Sequence, residues 1–250
     1  MKARRHIVLL AGLLLSVCTI GESAQSQVAI AGMAGSVFGY GLATVGSPYC
    51  ATQESENVQT LSDGTHITHK SKNQICRDSL GRTRTENFAA DERGELSPTP
   101  TAVNIFDPVD HVQYMLNVNH HTARRIALPV PQPIAPKASA LRTLPTPSQK
   151  DALRPQTAIE NLETQVIEGV LADGTRITTT YPAGFQGSDG PIVMVEERWS
   201  SKELGTVVLF KRSDPRFGDS VEQLTNINRS EPDPALFRVP ADYTMEEVQR

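Results

Sequence analysis

Apolar and polar residues alternate with a period of two along most of this chain, in short runs punctuated by glycine. Residues 49–84 read YCATQESENVQT-LSDG-THITHKSKNQICR-DSLG-RTR. Period-two alternation places successive side chains on opposite faces of a strand, and Gly beside Asp or Ser marks the turns between strands. Ser62-Asp63-Gly64 suits a three-residue hairpin loop, a type I turn followed by glycine in the left-handed conformation. In that register Leu61 faces Thr65, Glu56 faces Lys70, Glu54 faces Lys72 and Cys50 faces Cys76. A two-residue loop would slip the pairing by one and lose all three matches. The pattern therefore predicts a long hairpin, about Tyr49–Thr60 with Thr65–Arg77, stapled at its open end by a Cys50–Cys76 disulfide; two free thiols are the alternative. Ser79-Leu80-Gly81 repeats the device, setting Asp78 against Arg82, Cys76 against Arg84 and Gln74 against Glu86, so residues 49–90 form a three-stranded meander.

Further strands are expected at Val103–Phe106, Val112–Leu116 and Thr122–Leu128. Residues 129–156 then carry seven prolines. Proline lacks a donor and fixes φ, so this stretch is a linker rather than sheet. A short helix fits Thr157–Glu163. LADGTRIT (Leu171–Thr178) repeats LSDGTHIT (Leu61–Thr68), which predicts a second hairpin, Glu163–Leu171 with Thr175–Tyr181, turning at Ala172-Asp173-Gly174. PIVMVEERWSS and TVVLFKR follow as strands, the first apolar on both faces at its start and so central. VEQLTNINR is another strand, and the extended end, EPDPALFRVPADYT, spaces Phe237, Val239 and Tyr243 to dock on the sheet. The fold expected is mainly β: a curved antiparallel sheet or half-barrel of about ten strands, with a Pro-rich connector and little helix. Two blocks, 49–128 and 157–245, make a single domain 49–250 joined by linker 129–156.

The first residues change the picture of where this happens. A basic head (Lys2, Arg4, Arg5) precedes an apolar run from Ile7 to about Ile20, then small and polar residues. This is the build of a signal peptide, 1–24, and the run is shorter than the roughly 20 residues a membrane span needs. Leu15-Ser16-Val17-Cys18 loosely resembles a lipidation site, but Val17 fits poorly before the cysteine, so a lipid anchor at Cys18 is the less favoured reading. Residues 25–48 form a Gly-rich lead-in. Beyond residue 24 the chain holds 21 Lys and Arg against 27 Asp and Glu. That acidic balance argues against nucleic-acid binding, which relies on basic patches. Cys50 and Cys76, the cysteines that remain, form an even pair in an exported chain, which favours a disulfide.

Candidate chemistry is sparse. His66 and His69, three apart on a strand, point to opposite faces and cannot easily share a metal. His120-His121 sits in a turn, and Glu196 and Glu197 take opposite faces. No nucleophile elbow, phosphate loop or dinucleotide fingerprint occurs. Arg77, Arg82 and Arg84 gather at one hairpin end, where Asp78 and Glu86 neutralise part of their charge. No catalytic residue, cofactor or metal is expected.

The segments IEGV, DGTRIT, EERWSSKELGTVV and LTNINRSEPDPALFRVPADY, in that order over about residues 160–245, resemble exported proteins of Gram-negative bacteria with the outer-membrane lipoprotein carrier (Lol-type) superfamily fold. The resemblance implies a half-barrel open on one side and lined with apolar groups. The carriers' cavity-plugging helices have no counterpart in this sequence. The expectation is a non-enzymatic envelope protein, periplasmic or secreted and not membrane-spanning. Its concave sheet would hold a lipid-like or hydrophobic ligand or an envelope protein partner, with Trp199, Phe237 and Tyr243 as candidate contacts. The rival expectation is a structural or interaction protein of the cell surface without a small-molecule ligand.

Overall fold

The first hairpin forms in the register that its charges and cysteines require. The computed structural model describes residues 44–129 and 153–246, all within one unit, Ser36–Arg250. The expected signal peptide, 1–24, lies outside the described residues, as does most of the expected lead-in and linker. Strands β1 (Tyr49–Thr60) and β2 (His66–Arg77) pair antiparallel, with Cys50 opposite Cys76, Glu54 opposite Lys72 and Glu56 opposite Lys70. Gly64 turns the corner at φ 84°, and the Asp63 carboxylate accepts from the Thr65 N–H at 2.9 Å. The Cys50–Cys76 disulfide is formed. Lys70 reaches Glu56 at 3.5 Å, whereas Lys72 leans over the Phe88 ring, 5.2 Å from its centroid. β3 (Thr83–Phe88) completes the meander with Cys76 opposite Arg84 and Gln74 opposite Glu86.

The described residues hold twelve strands rather than ten. The remaining nine are β4 (Ala102–Asp107), β5 (Val112–Asn117), β6 (Thr122–Ala127), β7 (Gln156–Ile167), β8 (Val170–Tyr181), β9 (Ile192–Ser201), β10 (Thr206–Asp214), β11 (Gly218–Asn228) and β12 (Thr244–Glu246). They form a single open sheet in the order β12-β6-β5-β4-β3-β2-β1-β11-β10-β9-β8-β7. All neighbours are antiparallel except β12 and β6. β9 is central between β8 and β10, as its two apolar faces suggest. The halves of the chain meet where β1 pairs with β11. β6 and β7 therefore stand near opposite edges of the sheet, and the proline-rich stretch between them connects positions ten strand spacings apart.

The curvature has a local cause. β-Bulges interrupt β1 against β11 between Cys50 and Thr52, β10 against β9 between Val207 and Leu209, and β7 against β8 between Leu162 and Gln165. The paired registers place the second and third in one row across β10, β9, β8 and β7, with the first about two residues further along, and a bulge bends its strand. The result is visible in one contact. The Glu168 carboxylate, at the β7–β8 corner, accepts from the Asn226 N–H of β11 at 3.3 Å. In a flat sheet β8 and β11 would lie about 14 Å apart, at ~4.8 Å per spacing. A core cluster containing Tyr49, Ala51, Val170, Ala172, Trp199, Val208 and Leu224 collects at this bent end. A second, of Val103, Ile105, Leu116, Ala123 and Phe237, forms where the C-terminal segment crosses the sheet.

The second hairpin corrects two expectations. Thr157–Glu163 is not helical but lies within edge strand β7. LADGTRIT is not a corner: Ala172-Asp173-Gly174 lies inside β8, and the chain reverses at Glu168 and Gly169, at φ 50° and 77°. Both residues of a two-residue hairpin loop take positive φ, which Glu-Gly achieves here. Gly174 serves another purpose. A Cβ at this position would lie 2.7 Å from both Leu162 Cβ and Trp199 Nε1. The same Asp-Gly pair makes a corner in one place and room for an indole in the other. Gly174→Ala is expected to lower the unfolding free energy by about 1–3 kcal/mol through overpacking. Chemical denaturation would measure it, and Gly64→Ala, whose added Cβ meets no atom within 4 Å, separates packing from positive-φ strain.

Candidate functional site

The pairing register places one charged side chain from each of six strands, and one valine, in a single row on one face. Read from β2 to β7, the row is Lys70, Glu56, Val221, Lys211, Glu197, Arg176 and Glu160, each directly opposite the next. Signs alternate on either side of Val221. Lys70 meets Glu56 at 3.5 Å, Arg176 meets Glu197 at 2.7 Å and Glu160 at 3.0 Å. Glu197, then Glu160, push the Arg176 guanidinium pKa further up. Lys211 stands over the Trp199 ring, 5.5 Å from its centroid. These are exposed pairs, each worth roughly 0–1 kcal/mol. The row therefore does little for stability, and its consequence is the charge pattern the face presents.

Around Val221 the same face is hollowed. A depression of about 550 Å³ is lined by Glu54, Glu56, Val58, Lys70, Leu96 and Val221, among others. It adjoins a second of about 300 Å³ that includes Val195, Glu197 and Lys211, the two sharing Asp219 and Val221. Period-two geometry explains the lining: Glu54, Glu56 and Val58 are alternate residues of β1, and Asp219, Val221 and Gln223 of β11. The centre is an apolar saddle of Val58, Leu96 and Val221. An opposite-sign pair stands on one side and the Lys211–Glu197–Arg176–Glu160 run on the other.

The residues singled out by sequence fall in several places. Trp199 is buried at the bent end, 5 % exposed, with its indole N–H lacking an acceptor among the described residues. Phe237 is buried in the second core cluster under the Arg82 guanidinium, 5.1 Å from the ring centroid. Tyr243 packs against that cluster and stacks on His121 at 5.2 Å, whose Nδ1 meets Asp242 at 2.9 Å. Glu196 and Glu197 take separate partners, Arg198 at 3.1 Å and Arg176. Ser200 and Ser201 end β9. His66 pairs with Thr60 Oγ1 at 3.0 Å.

The three hairpin arginines do not act together. Arg77 donates to the Ser47 and Leu204 carbonyls and lies under the Tyr49 ring. Arg82 holds Asp78, and Arg84 holds Glu86. Among the described residues no group of three or more His, Cys, Asp or Glu is placed to hold a metal ion, and no helix is long and apolar enough to cross a membrane. Sequence reasoning missed most of the charged row. Its Glu56–Lys70 end was legible in the first hairpin, while the rest depends on pairing between distant strands.

No family model matches this chain, and no curated protein does. Several solved structures are similar to it in fold. One is an uncharacterized conserved protein from Thermus thermophilus, 10% identical, covering 80% of this chain and 90% of that one, TM-score 0.41. Another is from the MucA/MucB complex of Pseudomonas aeruginosa, 12% identical over 81% of this chain, TM-score 0.41; this chain spans 59% of that one. A LolA superfamily protein from Nitrosomonas europaea is 7% identical over 77% of this chain and 90% of that one, TM-score 0.33. At these identities the likeness concerns the arrangement of strands alone.

Proposed function

We propose that this chain is a non-enzymatic binding protein of the cell envelope, and that the charged face of its curved sheet holds a segment of a protein partner. The observation that carries the reading is the row from Lys70 to Glu160, with its apolar saddle at Val221. A cavity for a bare acyl chain is lined mainly by apolar and aromatic groups. Here the floor is ionic at nearly every crossing point. Alternating charge around a small apolar seat suits a polypeptide, whose own charged side chains complement the row while one apolar side chain fills the seat. Such complementarity supplies specificity and orientation more than raw affinity. The basic head and apolar run at residues 1–20 support export. Trp199 belongs to this site from beneath, as the platform under Lys211. Phe237 and Tyr243 lie at the other end of the sheet.

Photo-crosslinking tests this reading. A benzoylphenylalanine replaces Val221 in the full chain, expressed in the cells that make it, and the adducts are identified by mass. The expected adduct is a polypeptide. Its yield falls about fivefold or more when Lys211→Glu breaks the sign alternation, and the same probe at exposed Met115, on the opposite face, captures none of it. An adduct of lipid mass alone at Val221 would transfer the site to the lipid-like reading. No adduct would leave the cell-surface structural role and overturn the proposal.

A further inference from the structure

The opposite end of the sheet carries a second concave site, and its chemistry differs. Beneath the short 3-10 helix Pro234–Phe237 lies a cleft of about 460 Å³. Three guanidinium groups line it, from Arg82, Arg125 and Arg238. Their placement follows from the fold. Arg125 of β6 stands directly opposite Tyr114 of β5, which faces Ile105 of β4, so Arg125 belongs to the face that the C-terminal segment covers. Arg238 follows Phe237, the residue that anchors this segment in the second core cluster. Arg82 is fixed by Asp78 at 2.6 Å and by its stack on Phe237. Only its Nε is used in that pair, which leaves terminal donors for the cleft.

The carboxylates nearby balance the formal charge but leave the guanidinium donors of Arg125 and Arg238 free. Asp107 and Asp110 line the same cleft, and neither pairs with any of the three arginines. Asp107 is buried and occupied by its own turn, accepting from the Val109 and Asp110 N–H groups at 2.9 and 3.0 Å. Among the described residues Arg125 and Arg238 have no side-chain partner. Side chains that gain nothing from intramolecular pairing, gathered in a cleft, are the arrangement that an external anion completes. Guanidinium forks match the oxygens of a phosphate, with two parallel N–H donors to each group. Phe237, Val239 and Met245 line the rest, so the cleft offers apolar contact beside the cationic wall.

We propose that this cleft binds a phosphate group, with Arg125 and Arg238 as its main ligands and Arg82 as a third donor. The phosphate arrives either on a small soluble ester or as the headgroup of a membrane phospholipid. This site is independent of the charged row and of any polypeptide held there, and its failure would leave that reading untouched.

The test uses the full mature chain with a methyl-labelled Met245 reporter, followed by NMR. Glycerol phosphate is titrated at constant ionic strength against sodium chloride. The expected result is a saturable shift at Met245 that chloride does not reproduce. The double variant Arg125→Gln/Arg238→Gln weakens the apparent affinity about tenfold or more. Both positions are exposed, so the variants should keep the fold, which near-ultraviolet circular dichroism checks; the single variant Arg125→Gln, expected to lose part of the affinity, serves if the double variant unfolds. A parallel arm measures co-sedimentation with vesicles of phosphatidylcholine alone and with added phosphatidylglycerol. Arginine-dependent binding to the latter assigns the phosphate to a lipid headgroup, and a shift without vesicle binding assigns it to a soluble ester. Absence of both, or binding equal in wild type and double variant, overturns the proposal.

Discussion

Replacing Asp214 with alanine is expected to destabilise the fold by about 2–3 kcal/mol, the scale of hydrogen bonds to charged groups whose partners keep some access to water. Asp214 closes β10, and its side chain is fully buried. It accepts from the Arg216 backbone N–H at 3.0 Å, from Arg216 Nε at 2.9 Å and Nη2 at 2.8 Å, and from Arg212 Nη2 at 3.1 Å. Arg216 in turn lies over the Tyr181 ring, 4.5 Å from its centroid, so the cluster ties the β10–β11 corner to the end of β8. Without the carboxylate two guanidinium groups face each other uncompensated. The same site sets a pH dependence. Hydrogen bonding from Arg216, then from Arg212, holds the Asp214 pKa down at about 2, against 3.8 ordinarily. A depressed carboxylate stabilises the folded state above its unfolded pKa, and that contribution disappears as pH falls through the folded pKa. About 2 kcal/mol should therefore be lost between roughly pH 4 and pH 2. Urea denaturation across that range would show it, and Asp214→Ala should flatten the acid limb. A wild-type stability that does not change from pH 4 to pH 2 would contradict this role.

The second large effect is expected at Arg77. This arginine is 6 % exposed, and its pKa is pushed down by burial. It donates from Nε and Nη2 to the Ser47 carbonyl at 3.1 and 2.8 Å, and from Nη2 to the Leu204 carbonyl in the β9–β10 connection. The Tyr49 ring lies 4.8 Å from its Cζ. Arg77 thus joins β2, from the first half of the chain, to a loop of the second. Arg77→Ala strands the buried Leu204 carbonyl at about 1–3 kcal/mol, loses the bonds to the half-buried Ser47 carbonyl at about 1 kcal/mol, and leaves a void, for a total of about 3–5 kcal/mol. Arg77→Lys keeps the charge but lacks the planar fork that reaches both carbonyls, and should recover less than half. Thermal and denaturant unfolding of the two variants would measure this. Equal stability of Arg77→Lys and wild type would show that charge alone, not the fork, matters.

What could be read from sequence depended on whether the information was local. In the first hairpin, Cys50–Cys76 and the two Glu–Lys pairs mark one register within a 29-residue span, and the folded register agrees with all three. In the second, the only mark was Asp-Gly, which has two uses: positive φ at a corner, or a missing Cβ where another side chain must pass. At Gly174 the indole of Trp199 makes it the second. The real corner, Glu168-Gly169, lacks the Asn or Asp that usually signals such a loop. The alternating row was hidden for a related reason. Its members are ordinary exposed charges within each strand, and they align only through the β1–β11 pairing, between residues about 165 positions apart. The bulges that bend the sheet were likewise invisible, because each is defined by a partner strand.

Both halves of the chain build one sheet, seamed at β1 and β11, and the charged row is continuous only across that seam. Cutting the connection between the halves tests the seam. A specific protease site placed near residue 140, outside the described strands, allows the folded protein to be nicked without touching the Cys50–Cys76 disulfide, which lies wholly in the first half. Size-exclusion chromatography of the nicked protein should then give one peak containing both fragments, which separate only in denaturant. Two independently eluting, folded fragments under native conditions would mean that the halves do not share one sheet.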